Sequence, residues 1–285
     1  MSTPPVIGIV IESSAELPMT VARRFGIEVV PVTVTVDGVD HLDGVDLDRD
    51  DFAMSISTSP DERPAVGTSE PSSGQFALAY DALVGRGCTA ILSVHASAAT
   101  SGSLNAARLA ARTVEVPVRL VDSGTVGAGV ALAAWAAAEA VEAGADLDAA
   151  AAVAEVTGPQ VSTVFVVQTL AHPVDGLPVL TVTDGQVQLV DRVPSMVDAV
   201  AVMAGFVIER GPSARAVIGV AHPAADPVGE ALEAACGESA AIAEVVRHRA
   251  GPSVIAQTGP GTLGVVVAPA FRSPAALEPS TPTAS

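Results

Sequence analysis

Hydroxyl side chains gather at three places in the N-terminal half: Glu12-Ser13-Ser14-Ala15-Glu16-Leu17-Pro18, Gly67-Thr68-Ser69-Glu70-Pro71-Ser72 and Ser97-Ala98-Ala99-Thr100-Ser101-Gly102-Ser103. A tetrad, Gly259-Pro260-Gly261-Thr262, stands near the C-terminus. Each hydroxyl loop follows a strand-like run or precedes a helix-like one, so hydroxyls and free backbone N–H groups collect at helix starts. A neutral site rich in donors suits a carboxylate or phosphate and holds the anion without a fixed cation.

The absent residue types narrow the chemistry further. All 14 residues of the Lys+Arg count are Arg, which excludes a phosphate-loop lysine, a Schiff base and a lysine general base. Gly127-Ala128-Gly129 is followed by Leu132 where the dinucleotide fingerprint needs its third glycine. Gly67-Thr68-Ser69-Glu70-Pro71 lacks the second glycine of a nucleophile elbow. A formal net charge of -18 argues against nucleic acid, whose phosphates need clustered Lys and Arg. The acidic run Asp43, Asp46, Asp48, Asp50, Asp51 fails as a calcium loop: counted from Asp46, Asp51 takes the glycine position and Ser57 the glutamate position. Acidic residues at a helix start explain it better, and no metal or other cofactor is expected. Cys88 and Cys236 have no metal-ligand spacing and read as buried thiols.

The elements that position these groups alternate. Strands are expected at 6–11, 27–36, 89–95 and 118–121, with helices at 16–25 (N-cap Ser14), 49–58, 72–84, 101–111 and 126–156, the last broken at Gly144. Asp37-Gly38 marks a turn. Alternation of this kind implies an α/β fold with a mostly parallel sheet. Gly158-Pro159 is the expected boundary, giving an N-terminal α/β domain over 1–158 and a C-terminal α/β domain over 159–269. In the second, strands are expected at 162–169, 177–183, 186–190, 215–221, 242–247, 254–257 and 263–268, with helices at 194–210 and 226–236. Asp184-Gly185 reads as a hairpin turn, and residues 270–285, rich in Pro, Ser, Thr and Ala, as a disordered tail. The Ala-rich stretch at 126–138 falls short of a membrane span. No signal-peptide pattern precedes Val6–Ile11, so a cytoplasmic monomer is expected.

Taken in order, Ile9-Val10-Ile11-Glu12-Ser13-Ser14-Ala15-Glu16-Leu17-Pro18, Val29-Val30-Pro31-Val32-Thr33-Val34, Asp43-Gly44-Val45-Asp46, Thr68-Ser69-Glu70-Pro71-Ser72, Ser101-Gly102-Ser103, Val121-Asp122-Ser123 and Gly259-Pro260-Gly261 resemble the DegV family over residues 5–270. The resemblance implies two α/β domains with a long-chain fatty acid between them, presented to a separate kinase that phosphorylates its carboxylate. It places head-group donors at Thr68, Ser69 and Ser97, with Ser13, Ser14, His95, Asp122, Gln257 and Gly259 around them. It makes the chain a binding protein without catalytic residues. Three departures stand out. Gln257 replaces the family histidine before Gly-Pro-Gly, so an amide donor replaces a group that can carry a proton. Ala98 replaces the second serine of a pair. The family's helical insertion after the strand at 162–169 is shortened, Gln168-Thr169-Leu170 running through His172-Pro173 into Gly176-Leu177.

A reading from another class is a small-molecule enzyme with Glu12 or Asp122 as a base, Asp122-Ser123 standing at a strand end where α/β sheets bind ligands. His95 could line such a pocket. His41, His172, His222 and His248 read as loop or edge residues.

Overall fold

A computed structural model describes residues 5–56, 64–167, 176–183, 186–238 and 242–272. The first half runs β1 (Ile7–Glu12), α1 (Met19–Phe25), β2 (Glu28–Val30), β3 (Thr33–Val36), β4 (Val39–Leu42), α2 (Arg49–Ser55), β5 (Val66–Ser69), α3 (Ser73–Gly85), β6 (Ala90–His95), α4 (Ser103–Ala110), β7 (Val118–Asp122), α5 (Ala128–Glu142) and α6 (Leu147–Thr157). The second half runs β8 (Ser162–Val166), β9 (Leu177–Thr183), β10 (Gln186–Val193), α7 (Met196–Ile208), β11 (Ala214–Val220), α8 (Asp226–Gly237), β12 (Ile242–Arg249), α9 (Pro252–Thr258) and β13 (Leu263–Pro269).

Two α/β domains result. The N-terminal sheet is parallel, in the order β2-β1-β6-β7. Its inner strands β1 and β6 are nearly continuous apolar runs because helices cover both faces. The C-terminal sheet has the order β10-β9-β8-β13-β11-β12, with only β11–β12 parallel. Helices α7 and α8 cover one of its faces. The other face meets α5, whose residues from Ala128 to Ala138 are all buried. Alanine at most of these positions keeps the helix thin, so both sheets approach it. Ile9, Ile11, Trp135, Val217 and Ala268 accordingly share one core.

Several expectations change in the structure. The expected strand at 27–36 divides at Pro31, which has no N–H to donate: β2 stays beside β1, whereas β3 joins a separate sheet ordered β4-β3-β5. Strands β4 and β5 of that sheet are not legible in the sequence pattern. Helix α1 starts at Met19 instead of Glu16, and Ser14 does not cap it. Pro18 disfavours helical geometry at the residue before it, and Glu16 turns left-handed with φ 58° after a 3-10 turn at Ser13–Ala15. Residues 254–257, expected as a strand, lie in α9 because Pro252 presets its first turn and Gly259 ends it.

Local signals held elsewhere. Asp37 and Gly38 both take positive φ in the β3–β4 hairpin. Ser72 and Gln75 form a capping box on α3. Asp48 caps α2, with Asp50 and Asp51 in its first turn. Asp184-Gly185, His172 and residues 273–285 lie outside the described residues.

Candidate functional site

The carboxyl ends of β1, β6 and β7 aim the loops after them at the inner face of the C-terminal sheet, as open α/β sheets do beside a reversal of strand order. Between them lies a cavity of ≈ 680 Å³, within the range that holds one organic ligand. Among the described residues its lining contains no Arg.

One wall is the C-terminal sheet. Gly219 pairs with Gly264, Gly264 with Phe165, and Val182 with Val187, and all five line the cavity with Val217 and Val266. Adjacent strands stand ~4.8 Å apart, so a path from His248 on β12 across to Val187 on β10 crosses five intervals, about 24 Å. The two glycines keep this path open. A Cβ on Gly264 would stand 3.2 Å from the Phe165 Cβ, and one on Gly219 would stand 3.6 Å from His248 Nε2.

The facing wall is polar. Ser14, Thr68, Ser69, Glu70, Ser101, Thr125, Gln257 and Thr258 line it, with Thr68, Ser69 and Gln257 at its exposed rim. Gly102 N–H donates to Glu70 Oε1 (3.1 Å) and holds that exposed carboxyl below its ordinary pKa.

Glu16 and His248, 3.8 Å apart with side chains 4% and 10% exposed, form a polar corner of the cavity, which the buried Ser253 also lines. Glu16 Oε2 accepts from Gly251 N–H (2.8 Å), with Arg49 Nη1 at 3.6 Å and His248 Nδ1 at 3.8 Å. Arg49 also reaches Asp43 Oδ2 (3.4 Å) and the Arg249 carbonyl. Burial raises the Glu16 carboxyl to about 7, against the lowering by Arg49. Burial, aided by Arg49, pushes His248 down to about 3, so its ring is neutral at physiological pH. Glu16 Oε1 and Ser253 Oγ have no hydrogen-bond partner among the described residues.

Of the residues expected at a site, Ser14, Thr68, Ser69 and Gln257 line the cavity, whereas Ser13, His95, Ser97, Asp122 and Gly259 do not. Ser13 Oγ accepts from Val32 N–H. His95 is fully buried in a relay in which Tyr80 Oη donates to Ser93 Oγ, Ser93 to His95 Nε2, and His95 Nδ1–H to Glu12. Glu12 also accepts from Ala96 N–H, so both its oxygens are occupied. Ser97 closes a turn by accepting from Ala99 N–H. Asp122 accepts from Ala98 and Gly124 N–H, and Gly259 ends α9. Neither candidate base, Glu12 or Asp122, therefore faces the cavity.

Glu16 lies within the first hydroxyl loop but is not singled out there, and Ser253 sits in an unremarkable local pattern; His248, read as a loop or edge residue, is on the edge strand β12 and lines the cavity. A signal for the apolar path was available: Gly219 and Gly264 each interrupt a strand-like run, and a glycine inside a strand marks a close approach.

Comparison with known proteins agrees with this architecture. The profile of the DegV family, described as uncharacterised proteins, matches residues 6–176 and 177–270. A DegV domain-containing protein of Streptomyces coelicolor is 32% identical over 278 residues, spanning 92% of this chain and 98% of its own. One from Mycobacterium tuberculosis is 30% identical over 277 residues, spanning 91% and 96%. Among solved structures, a Thermus thermophilus DegV family protein described by its fatty acid binding superposes with TM-score 0.77 at 25% identity, covering 92% of this chain and 99% of its own. DegV of Bacillus subtilis, described as a fatty acid binding protein, shares the fold with TM-score 0.76 at 19% identity, covering 93% and 99%. Matched along both halves by the family profile and by relatives of nearly its full length, this chain belongs to the DegV family.

Proposed function

We propose that the protein binds a long-chain fatty acid between its two domains, which divide near Gly158-Pro159, and that it does so without catalysing a reaction. The observation that carries this reading is the pairing of an apolar path from Gly219 to Val187, four strand intervals or about 19 Å, with a hydroxyl and amide rim in one cavity. An acyl tail on the first wall leaves water, gaining about 0.8 kcal/mol per buried methylene. A carboxylate at the rim finds hydrogen-bond donors in Thr68, Ser69 and Gln257, which a group leaving bulk water requires. The Thermus relative's described fatty acid binding supports the same ligand class. A rim open to solvent suits presentation of the carboxylate to a separate kinase, the role we assign.

The test is native mass spectrometry of freshly purified protein, with identification of whatever denaturation releases. A stoichiometric mass in the fatty-acid range is expected. Empty protein that takes up no member of a chain-length series of fatty acids refutes the reading.

A further inference from the structure

Glu16 and Ser253 are not among the rim donors, yet both line the cavity and each keeps a buried oxygen without a partner among the described residues. Such an atom costs about 1–3 kcal/mol when left unsatisfied, a cost that a suitably placed ligand group removes. Gly251 links the two along the chain. A Cβ on Gly251 would lie 2.5 Å from Glu16 Oε1, and Ser253 follows two residues later. Ser253 and Gln257 are four residues apart on α9, hence on the same face and separated by ~6 Å along its axis. A carboxylate lying between them can direct one oxygen at Gln257 and the other into the corner, with hydrogen bonds of ~2.8 Å on each side.

Charge decides what such a head group meets there. From α2, Arg49 addresses Glu16 Oε2 and is shared with Asp43. From β12, neutral His248 faces the same oxygen, as does Gly251 N–H. Glu12 is turned away onto His95 and Ala96, and Glu70 is held at the rim by Gly102 N–H. Gly251 N–H, His248 Nδ1 and Arg49 Nη1 thus address Oε2, while Arg49 Nη2, beside the Gly251 position that Oε1 abuts, is engaged by Asp43. An anion arriving at Oε1 meets like charge unless Glu16 carries a proton.

Building on the reading that the cavity binds a fatty acid, we infer that Glu16 takes the lipid carboxylate as a protonated acid, its Oε1–H and the Ser253 hydroxyl donating to one carboxylate oxygen while the Gln257 amide serves the other. The proton comes from solvent: above the Glu16 titration, each carboxylate bound removes one H⁺ from the buffer, and none is lost to the ligand. Because burial has already raised Glu16 to about 7, the requirement is mild at neutral pH. Affinity for the carboxylate then falls about tenfold per pH unit above that point.

The experiment uses the full chain freed of co-purifying lipid and titrated with oleate by calorimetry near pH 8.5, in two buffers of different ionisation enthalpy. Uptake of about one proton per oleate is expected. Oleyl alcohol, which brings its own donor to ionised Glu16, is expected to bind without uptake. E16Q, a donor in every ionisation state, should bind oleate with no proton uptake and no pH slope. S253A should lose about tenfold in affinity, the loss of one hydrogen bond to a charged group, and keep the slope. Oleate binding by the wild type with no proton uptake and flat affinity from pH 6.5 to 9 overturns the inference and leaves fatty-acid binding standing. Failure to bind either probe overturns both. Should E16Q not fold, the wild-type proton count decides alone.

Discussion

Arg215 on β11 joins the two domains, and its removal has a calculable cost. Its guanidinium forms two bonds to Glu139 on α5, at 2.6 and 3.0 Å, and one to Glu244 on β12, at 3.1 Å. It also lies 3.9 Å from the centre of the Trp135 ring. The Arg215 side chain is 7% exposed and that of Glu139 17%, so deleting the cation strands a mostly buried carboxylate. Breaking such a pair costs about 3–5 kcal/mol. The Glu244 arm, 38% exposed, adds only about 0–1 kcal/mol after screening. R215A should therefore be about 3–5 kcal/mol less stable than wild type. R215M, which keeps an apolar side chain in the space beside Trp135 although it removes the guanidinium stacked there, should lose less. R215M combined with E139M should recover most of the loss, since replacing a buried ion pair by apolar groups is often neutral or stabilising. Urea unfolding followed by tryptophan emission is direct, because Trp135 is the only tryptophan in the chain. A cost for R215A below about 1 kcal/mol, or one unchanged by E139M, would refute the reasoning.

Three further outcomes test other parts of the structure. G264V sets an isopropyl group against Phe165 and should weaken binding of an eighteen-carbon acid at least tenfold, about 1.4 kcal/mol, measured by competition with a fluorescent fatty acid; unchanged affinity would remove the sheet wall from the site. S72A removes the α3 cap, along with the order it imposes on Gln75 and its bond to the Pro31 carbonyl, and should cost about 1 kcal/mol in thermal or urea unfolding. The buried corner also gives stability a pH dependence. Glu16, raised from 4.5 to about 7, contributes stability that is fully present below pH 4.5 and lost as pH rises through 7. His248, lowered from 6.5 to about 3, contributes stability present above pH 6.5 and lost as pH falls through 3. Their slopes oppose one another between pH 4.5 and 6.5, and E16Q isolates the first. Its stability relative to wild type should grow by up to about 3 kcal/mol from pH 4.5 to 7 and stay level above; a constant difference would contradict the Glu16 titration.

The chain announces its local structure where one residue type has one physical consequence. Asp37-Gly38 permits positive φ at consecutive residues, Ser72 with Gln75 satisfies helix-start donors from both sides, and the apolar runs of β1 and β6 leave no polar face for solvent. The family resemblance is legible for the same reason, since it rests on ordered punctuation of this kind. Strands β4 and β5 escaped notice because each is only four residues long and gains its ladder from β3. The strand expected at 254–257 failed because propensity is weak beside two prolines and a terminating glycine.

The sequence alone determined the fold class, the domain pattern, the absence of lysine chemistry and the hydroxyl loops from which Ser14, Thr68 and Ser69 come. Only the tertiary structure decided that His95 belongs to a sealed relay, that Asp122 holds a turn, and that Glu16, His248 and Ser253 line one cavity with Gly219. The physical reason is range. Caps, turns and hydrophobic period act over a few residues, whereas burial, pKa and the partner of each polar atom depend on segments more than two hundred residues apart. Glu16 and Gly251 become neighbours only after both sheets have closed on α5.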